Sequence, residues 1–347
     1  MSVMSKAVAL ISLGCAKNLV DSEVMAGVLA GAGYRMVSSP EDADAIVVNT
    51  CAFIDEAQQE AVDTILELAR YKKSGRCQAL VVTGCLAQRS ASELLAEVPE
   101  IDAVVGTGDF PHIANVVGRV LSGERVHLVG TPCYLYDENA PRILSTPPYM
   151  AYVKIAEGCS NRCSYCVIPE LRGPYRSRPL ESVVSEVRAL ARAGVKELIL
   201  IAQDTTRYGE DVYGHPSLAE LLREVCEVEG PRWVRVLYMY PSRVTQELIE
   251  VMATEPKICK YVDLPLQHAD DEILKAMNRI GSSEDAREII AAFRRAMPDV
   301  TIRSTFIVGF PGETDEKFER LLEFLKEVRL DRVGVFAYSP QPGTPAA

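Results

Sequence analysis

The stretch Glu157-Gly158-Cys159-Ser160-Asn161-Arg162-Cys163-Ser164-Tyr165-Cys166 follows directly on an apolar run, Tyr152–Ala156. The run reads as a β-strand, so the loop after it opens at the carboxyl end of that strand, where barrels of this kind carry their active sites. Three cysteines fall within eight residues at the spacing C-x3-C-x2-C, with Tyr165 just before the last. Three thiolates can hold three irons of a four-iron cluster. The fourth iron then has no protein ligand and is open to a substrate or cofactor. A zinc site is the alternative, but a structural zinc needs four ligands. No fourth Cys or His lies nearby in sequence: the histidines are His112, His127, His215 and His268.

Downstream of the loop, apolar runs alternate with amphipathic stretches. Strands are predicted at Tyr152–Ala156, Glu197–Ala202, Trp233–Tyr238, Tyr261–Leu264, Thr301–Val308 and Arg332–Ala337, with helices between them such as Leu180–Ala193 and Glu316–Val328. Six β-α units suit a partial (β/α)6 TIM-type barrel rather than a closed one of eight.

Upstream, a second alternating series runs from Ala7–Leu13 through Ala45–Asn49 and Ala79–Thr83 to Val104–Gly106, again with helical stretches between. This order implies a doubly wound parallel sheet, a Rossmann-like domain. Prolines at 132, 141, 147 and 148 mark a linker over 131–148. The expected domains are therefore 1–130, the linker, and a barrel over 149–347.

Cys15, Cys51 and Cys85 each sit two residues past a predicted strand of the first domain. Parallel strands bring all their carboxyl ends to one edge, so these three should converge despite their separation in sequence. A lone cysteine there would be an ordinary small buried side chain. Three with one repeated placement point to a second cluster. Cys77, Cys133, Cys226 and Cys259 follow no such pattern.

The chain has 347 residues and a net charge of −11. That balance is poor for gripping phosphates, so direct nucleic-acid binding is not favoured, and it suits a basic partner. No run is long enough to span a membrane, and the apolar stretch before Cys15 is too short for a signal peptide. A cytoplasmic location is expected, where patterned cysteines mean metal or catalysis rather than disulfides.

The cysteine loop resembles the signature of the radical S-adenosylmethionine superfamily. Together with Cys15, Cys51 and Cys85, it resembles the methylthiotransferase branch over nearly the whole chain. Further stretches carry the likeness: Leu13–Glu23, Asn49-Thr50-Cys51-Ala52-Phe53, Gly84–Arg89, Gln203-Asp204-Thr205-Thr206, Leu266-Gln267-His268 and Gly309-Phe310-Pro311-Gly312-Glu313-Thr314. Within that branch, Leu13–Glu23, Cys51–Ile54 and Ala202–Gly209 look like the RimO-like members, which modify an aspartate of small-subunit ribosomal protein twelve. Members that modify an adenosine of tRNA are the alternative. A non-catalytic iron–sulfur carrier or binding protein is an alternative of another class.

The resemblance implies two [4Fe-4S] clusters, S-adenosylmethionine, a reduced electron donor and a sulfur donor. It implies hydrogen removal from the aspartate β-carbon, sulfur transfer to that carbon and methylation of the sulfur by a second S-adenosylmethionine. It also implies a further small β-barrel (TRAM) domain, which this sequence, ending at Ala347, is expected to lack.

Other residues are candidates for the cofactor. Gln203 and Asp204 end the second barrel strand and Gln267 follows the fourth, facing one mouth. Gly309 and Gly312 would let backbone approach a nucleoside, or merely make a turn around Pro311; the resemblance places this segment on the adenosine. Arg303, inside a strand, needs an anionic partner such as the cofactor carboxylate. Phe336 and Tyr338 can pack on adenine or in the core. Arg172, Arg176 and Arg178 can hold an acidic group or form an exposed charged turn. His268 receives no role.

Overall fold

A computed structural model describes residues 5–347. The chain forms two compact units. One comprises the chain up to Ser145 together with Ile168–Pro174; the other comprises Thr146–Val167 and Tyr175–Ala347.

The first unit is built on β1 (Ala7–Ser12), β2 (Arg35–Val37), β3 (Ala45–Thr50), β4 (Ala79–Gly84), β5 (Ala103–Val105) and β6 (Val126–Leu128). They form one sheet in the order β2-β1-β3-β4-β5-β6, with every pairing parallel. This is the Rossmann-like arrangement expected. β3 (AIVVNT) and β4 (ALVVTG) are buried along their whole length. Such near-continuous apolar, β-branched runs belong to strands covered on both faces. β2 and β6 were not anticipated; each is three residues long, too short to show a periodicity.

The domain boundaries differ from those read from the sequence. The stretch predicted as a linker is strapped onto helix Ala16–Gly31 of the first unit as far as Ser145. Glu23, in that helix, has a fully buried side chain. It pairs with Arg142 at 2.6 Å and accepts from the Ser145 N–H at 2.7 Å and the Ser145 hydroxyl at 2.8 Å. A buried carboxylate needs such partners. Gly27 leaves room for the Pro141 backbone to pass, which a side chain there would block. The proline-rich composition was therefore misleading: the segment is anchored by polar groups. The short helix Ile168–Arg172, expected within the barrel domain, also belongs to the first unit. Its Leu171 carbonyl accepts from the Thr107 hydroxyl at 2.5 Å.

The second unit contains β7 (Met150–Lys154), β8 (Ala156–Glu157), β9 (Arg176–Ser177), β10 (Glu197–Ile201), β11 (Trp233–Val236), β12 (Tyr261–Asp263), β13 (Thr301–Val308) and β14 (Arg332–Ala337). β7-β10-β11 and β12-β13-β14 form two parallel three-stranded sheets. They are joined where the Val234 N–H meets the Lys257 carbonyl and the Cys259 N–H meets the Val234 carbonyl, at 2.8 and 2.9 Å. The result is the six-stranded partial barrel expected, with a small antiparallel ribbon, β8–β9, beside it. Alternate residues Ala151, Val153, Leu198, Leu200, Val234, Val236, Val262, Ile302 and Phe306 have no exposed surface. Strand pleating puts them on one face of the sheets.

Arg178 has no exposed side-chain surface. It pairs with Glu186, donates to the Lys154 carbonyl and the Ser182 hydroxyl at 3.0 Å each, and so ties β7 to helix Leu180–Arg192. Among the described residues, no helix is long and apolar enough to cross a membrane. The substitution Arg178→Ala strands Glu186 as a buried charge and is expected to cost about 3–5 kcal/mol. Denaturant unfolding followed by circular dichroism measures the loss; the paired change Arg178→Met with Glu186→Leu is expected to recover most of it.

Candidate metal centres

The loop holding Cys159, Cys163 and Cys166 is fastened at several points within the second unit. Asn161 Nδ2 donates to Asp204 at 2.9 Å, and Asn278 Nδ2 donates to the Arg162 carbonyl at 2.8 Å. The Ser164 hydroxyl donates to the Ala276 carbonyl at 2.7 Å and the Ser164 N–H to the Met277 carbonyl at 3.0 Å. Gly158 and Arg162 take positive φ, 81° and 53°, which turns the chain sharply around the cysteines. Tyr165 meets Phe310 edge-on at 6.5 Å, and Phe310 meets Tyr338 at 5.2 Å. The Arg279 guanidinium lies 4.0 Å from the Cys163 sulfur and 3.9 Å from the Tyr240 ring centre. Burial pushes the Cys159 thiol up, and the charges of Asp204 and Cys163 add to this. Metal coordination reverses such a rise by deprotonating the thiol outright.

The second trio sits at the carboxyl ends of adjacent strands β1, β3 and β4. Cys51 and Cys85 directly follow β3 and β4, while Cys15 caps the start of helix Ala16–Gly31. The sheet order reverses between β1 and β3, the position where open parallel sheets bind ligands. Gly14 and Gly84 take φ of +88° and +91°. A Cβ on Gly14 would lie 2.8 Å from the Cys51 Cβ, and one on Gly84 would strike the Asn49 and Thr50 oxygens. Asn18 joins the three loops: its Nδ2 donates to the Leu13 and Thr50 carbonyls at 3.1 and 2.9 Å, and its Oδ1 accepts from Arg172 and from the Cys85 thiol. Arg172 is buried and paired with Asp21 at 2.5 Å.

These charges split the three thiols. Desolvation opposes ionisation of Cys15, but Lys17, Arg172 and the backbone N–H groups of Asn18 and Lys17 outweigh it and hold the thiol below its ordinary range. That is the behaviour of a cysteine at a helix N-terminus beside cations. Burial pushes Cys85 up to about 11, against the pull of Arg172. Cys51 is raised by burial, with the Cys15 charge adding to it.

The remaining sequence candidates are distributed unevenly. Gln203 donates to Glu157 at 2.7 Å, and Glu157 pairs with Lys154 at 2.5 Å. Asp204 is buried, and its carboxylate is taken up by Asn161, Arg243 and Thr206, so it braces the cysteine loop from beneath. Arg303 has its anionic partner within the protein, Asp263 at 2.9 Å. Gln267 takes φ of +75° and bridges to Thr305 and Ile307 through its backbone. Gly309 and Gly312 have φ of +75° and +88°, with open space where a side chain would stand. Phe336 is half-exposed on β14, not packed in the core. Arg172 and Arg178 are buried, which removes the exposed charged turn.

Sequence reasoning missed Asn18, Asn161, Arg279 and His268. His268 is buried; its Nδ1 accepts from the Asp270 N–H at 2.9 Å, so Nε2 carries the proton toward Glu313 at 3.0 Å. Glu313 in turn accepts from the Gly309 N–H. Asn18, Asn161 and His268 stand in stretches that carry the family resemblance, but nothing local gives any of the four its role, because each acts through a partner far away in sequence.

Residues 153–325 match the Radical SAM superfamily, and residues 7–106 match the uncharacterized protein family UPF0004. A protein of Pelotomaculum thermopropionicum named ribosomal protein uS12 methylthiotransferase RimO is 56% identical over 98% of this chain and 77% of its own length. Proteins of the same name from Heliobacterium modesticaldum and Geobacter sulfurreducens are 55% and 53% identical, over 99% and 100% of this chain and 75% and 78% of theirs. The chain belongs to the RimO family. It is thereby a radical S-adenosylmethionine methylthiotransferase. Among solved structures, the radical S-adenosylmethionine methyltransferase TsrM from Kitasatospora setae superposes with a TM-score of 0.70 at 19% identity, covering 99% of this chain and 77% of that one. That likeness establishes the shared fold.

Membership of the superfamily brings S-adenosylmethionine and a [4Fe-4S] cluster, and the first trio fits them. Among the described residues, no three His, Cys, Asp or Glu side chains gather closely enough for one metal ion, which is what zinc would need. A cluster instead takes one thiolate on each of separate irons. Three of the four buried oxygens without a partner among the described residues belong to the second unit: Asn161 Oδ1 in the loop, Gln203 Oε1, whose amide nitrogen meets Glu157 before it, and Tyr338 Oη beside Phe310. A polar cofactor would satisfy them.

The glycine geometry is testable without any cofactor. Gly33→Ala, at φ of +90° with open space around it, is expected to cost only the backbone penalty of about 1–2 kcal/mol. Gly84→Ala adds a collision with Asn49 and Thr50 and is expected to cost at least about 1 kcal/mol more. Thermal unfolding of the two variants side by side gives the difference.

Proposed function

We propose that this chain transfers a methylthio group to the β-carbon of an aspartate in ribosomal protein uS12, using a second four-iron cluster on Cys15, Cys51 and Cys85. The observation that carries the reading is the 56% identity, over nearly the whole chain, to a protein named for that reaction. The two cysteine trios agree with it, as does the net charge of −11, which draws a basic protein.

When bound, the clusters and S-adenosylmethionine supply hydrogen abstraction, sulfur and the methyl group. Cys159, Cys163 and Cys166 would hold a [4Fe-4S] cluster through their three thiolates. Asn161, Asp204 and Asn278 hold that loop still. Gly309 and Gly312 leave space for a nucleoside beside backbone, with Gln203 and Gln267 at the same strand ends. Cys15, Cys51 and Cys85 would hold the second cluster, and Arg172 and Lys17 would offset the negative charge of their thiolates. The reaction further calls for a reduced electron donor and a sulfur donor, and takes place in the cytoplasm.

The test is anaerobic reconstitution followed by incubation with reductant, S-adenosylmethionine, a uS12 loop peptide and tRNA. The intact protein is expected to carry about eight irons and Cys15→Ala about four. Mass spectrometry is expected to find the methylthio group on the peptide. Its appearance on tRNA instead would transfer the chain to the other branch.

A further inference from the structure

The faces of the barrel strands differ in kind. One carries the fully buried apolar residues described above. The opposite face carries the buried Ile199 and Ile201 and, around them, Tyr152, Lys154, Arg235, Tyr261, Asp263, Arg303 and Arg332, placed together by register: Ile199 aligns with Tyr152 and with Arg235, Ile201 aligns with Lys154, and Asp263 aligns with Arg303, which aligns with Arg332. Barrel interiors are ordinarily filled by bulky branched side chains. The charged side chains on this face depart from that pattern.

Most of its charges are already matched. Lys154 is buried against Glu157. Arg235 holds Glu197 through both Nε and Nη2 at 2.9 Å and lies over the Tyr261 ring at 4.9 Å. Asp263 is satisfied by Arg303 Nη1 and by the Tyr238 N–H, both at 2.9 Å. Arg303 differs. Its side chain is 39% exposed, and only Nη1 is engaged; Nε and Nη2 have no hydrogen-bond partner among the described residues. Beside it, exposed Arg332 makes no ion pair among the described residues. The four basic side chains face three carboxylates, Glu157, Glu197 and Asp263. One positive charge is left over inside a chain whose net charge is −11.

The same face leads toward the cysteine loop. Above Arg303 come Thr305 and Gly334, then Ile307 and Phe336. Gly334 has no side chain to obstruct the way, and Ile307 packs against the cluster containing Phe310 and Tyr165. Arg303 and Ile307 are about 13 Å apart along the strand. A carboxylate held by Arg303 therefore sits below the loop rather than on it.

We propose that Arg303 receives the side-chain carboxylate of the protein substrate and so selects an acidic residue for modification, a role that rests on the protein-modifying reading above. Asp263 fixes the guanidinium by one nitrogen and leaves its fork to accept two carboxylate oxygens, a geometry for which arginine is suited and lysine is not.

The experiment compares uS12 loop peptides bearing aspartate or asparagine at the target position, with binding read by fluorescence anisotropy and transfer by mass spectrometry. The intact protein is expected to bind the aspartyl peptide more tightly. Arg303→Gln is expected to weaken that peptide about tenfold to hundredfold and bring the aspartate-to-asparagine ratio near one, while Arg303→Lys keeps part of the preference. Iron content matched to the intact protein verifies the fold; if Arg303→Gln fails to load iron, the ratio in Arg303→Lys carries the test. An unchanged ratio overturns the proposal alone. So does an unchanged ratio with weakened S-adenosylmethionine binding, which returns Arg303 to the cofactor. An intact protein that modifies neither peptide overturns the functional reading and this proposal with it.

Discussion

Everything in this protein follows from a property of parallel strands: their carboxyl ends all lie on one edge. In the first unit that edge gathers Cys15, Cys51 and Cys85 from the ends of β1, β3 and β4. In the second unit it sets the loop of Cys159, Cys163 and Cys166 just beyond β7, with Gln203, Gln267 and Gly309 at or just past the ends of other strands. Local sequence could not bring such distant residues together; hydrogen-bonded sheets do.

The edge alone does not fix a thiolate, however. Buried polar groups complete the placement. Asn18 touches the backbone just after β1 and at the last residue of β3, and the thiol of Cys85. Asp204 serves the other loop through Asn161 while Arg243 neutralises it. Each such group is costly to bury alone and tolerable only when all its partners are present. The two loops are therefore held by networks in which a lost member strands the rest. The same logic explains why a proline-rich segment is fastened to Glu23 rather than loose, and why the Arg172 helix belongs with the first unit.

Charge is arranged in opposite senses over the whole chain and on one face of the barrel strands. The chain as a whole is strongly acidic, which favours approach of a basic protein in a salt-dependent way. The polar face of the barrel strands carries one positive charge in excess, around Arg303 and Arg332. A basic partner presenting one acidic side chain would meet attraction at both scales. A polynucleotide would meet repulsion at the first.

The sequence by itself determined the main elements and the family to which the chain belongs. Six barrel strands were legible because each is an apolar run between amphipathic stretches, and all six lie where expected within a few residues. The three-in-eight cysteine spacing is local, so it could be read directly, and the second trio was legible because each cysteine shares one offset from a strand. Tertiary structure alone decided what the charged residues do. Arg172 and Arg178 read equally well as an exposed turn until burial against Asp21 and Glu186 settled them. Arg303 needed an anion, and only the register between β12 and β13 showed it to be Asp263. The roles of His268, Asn18 and Arg279 were not legible, although His268 and Asn18 stand in stretches that carry the family resemblance. Strand periodicity is written in neighbouring residues, whereas a hydrogen-bond partner is chosen by whatever the fold brings within about 3 Å.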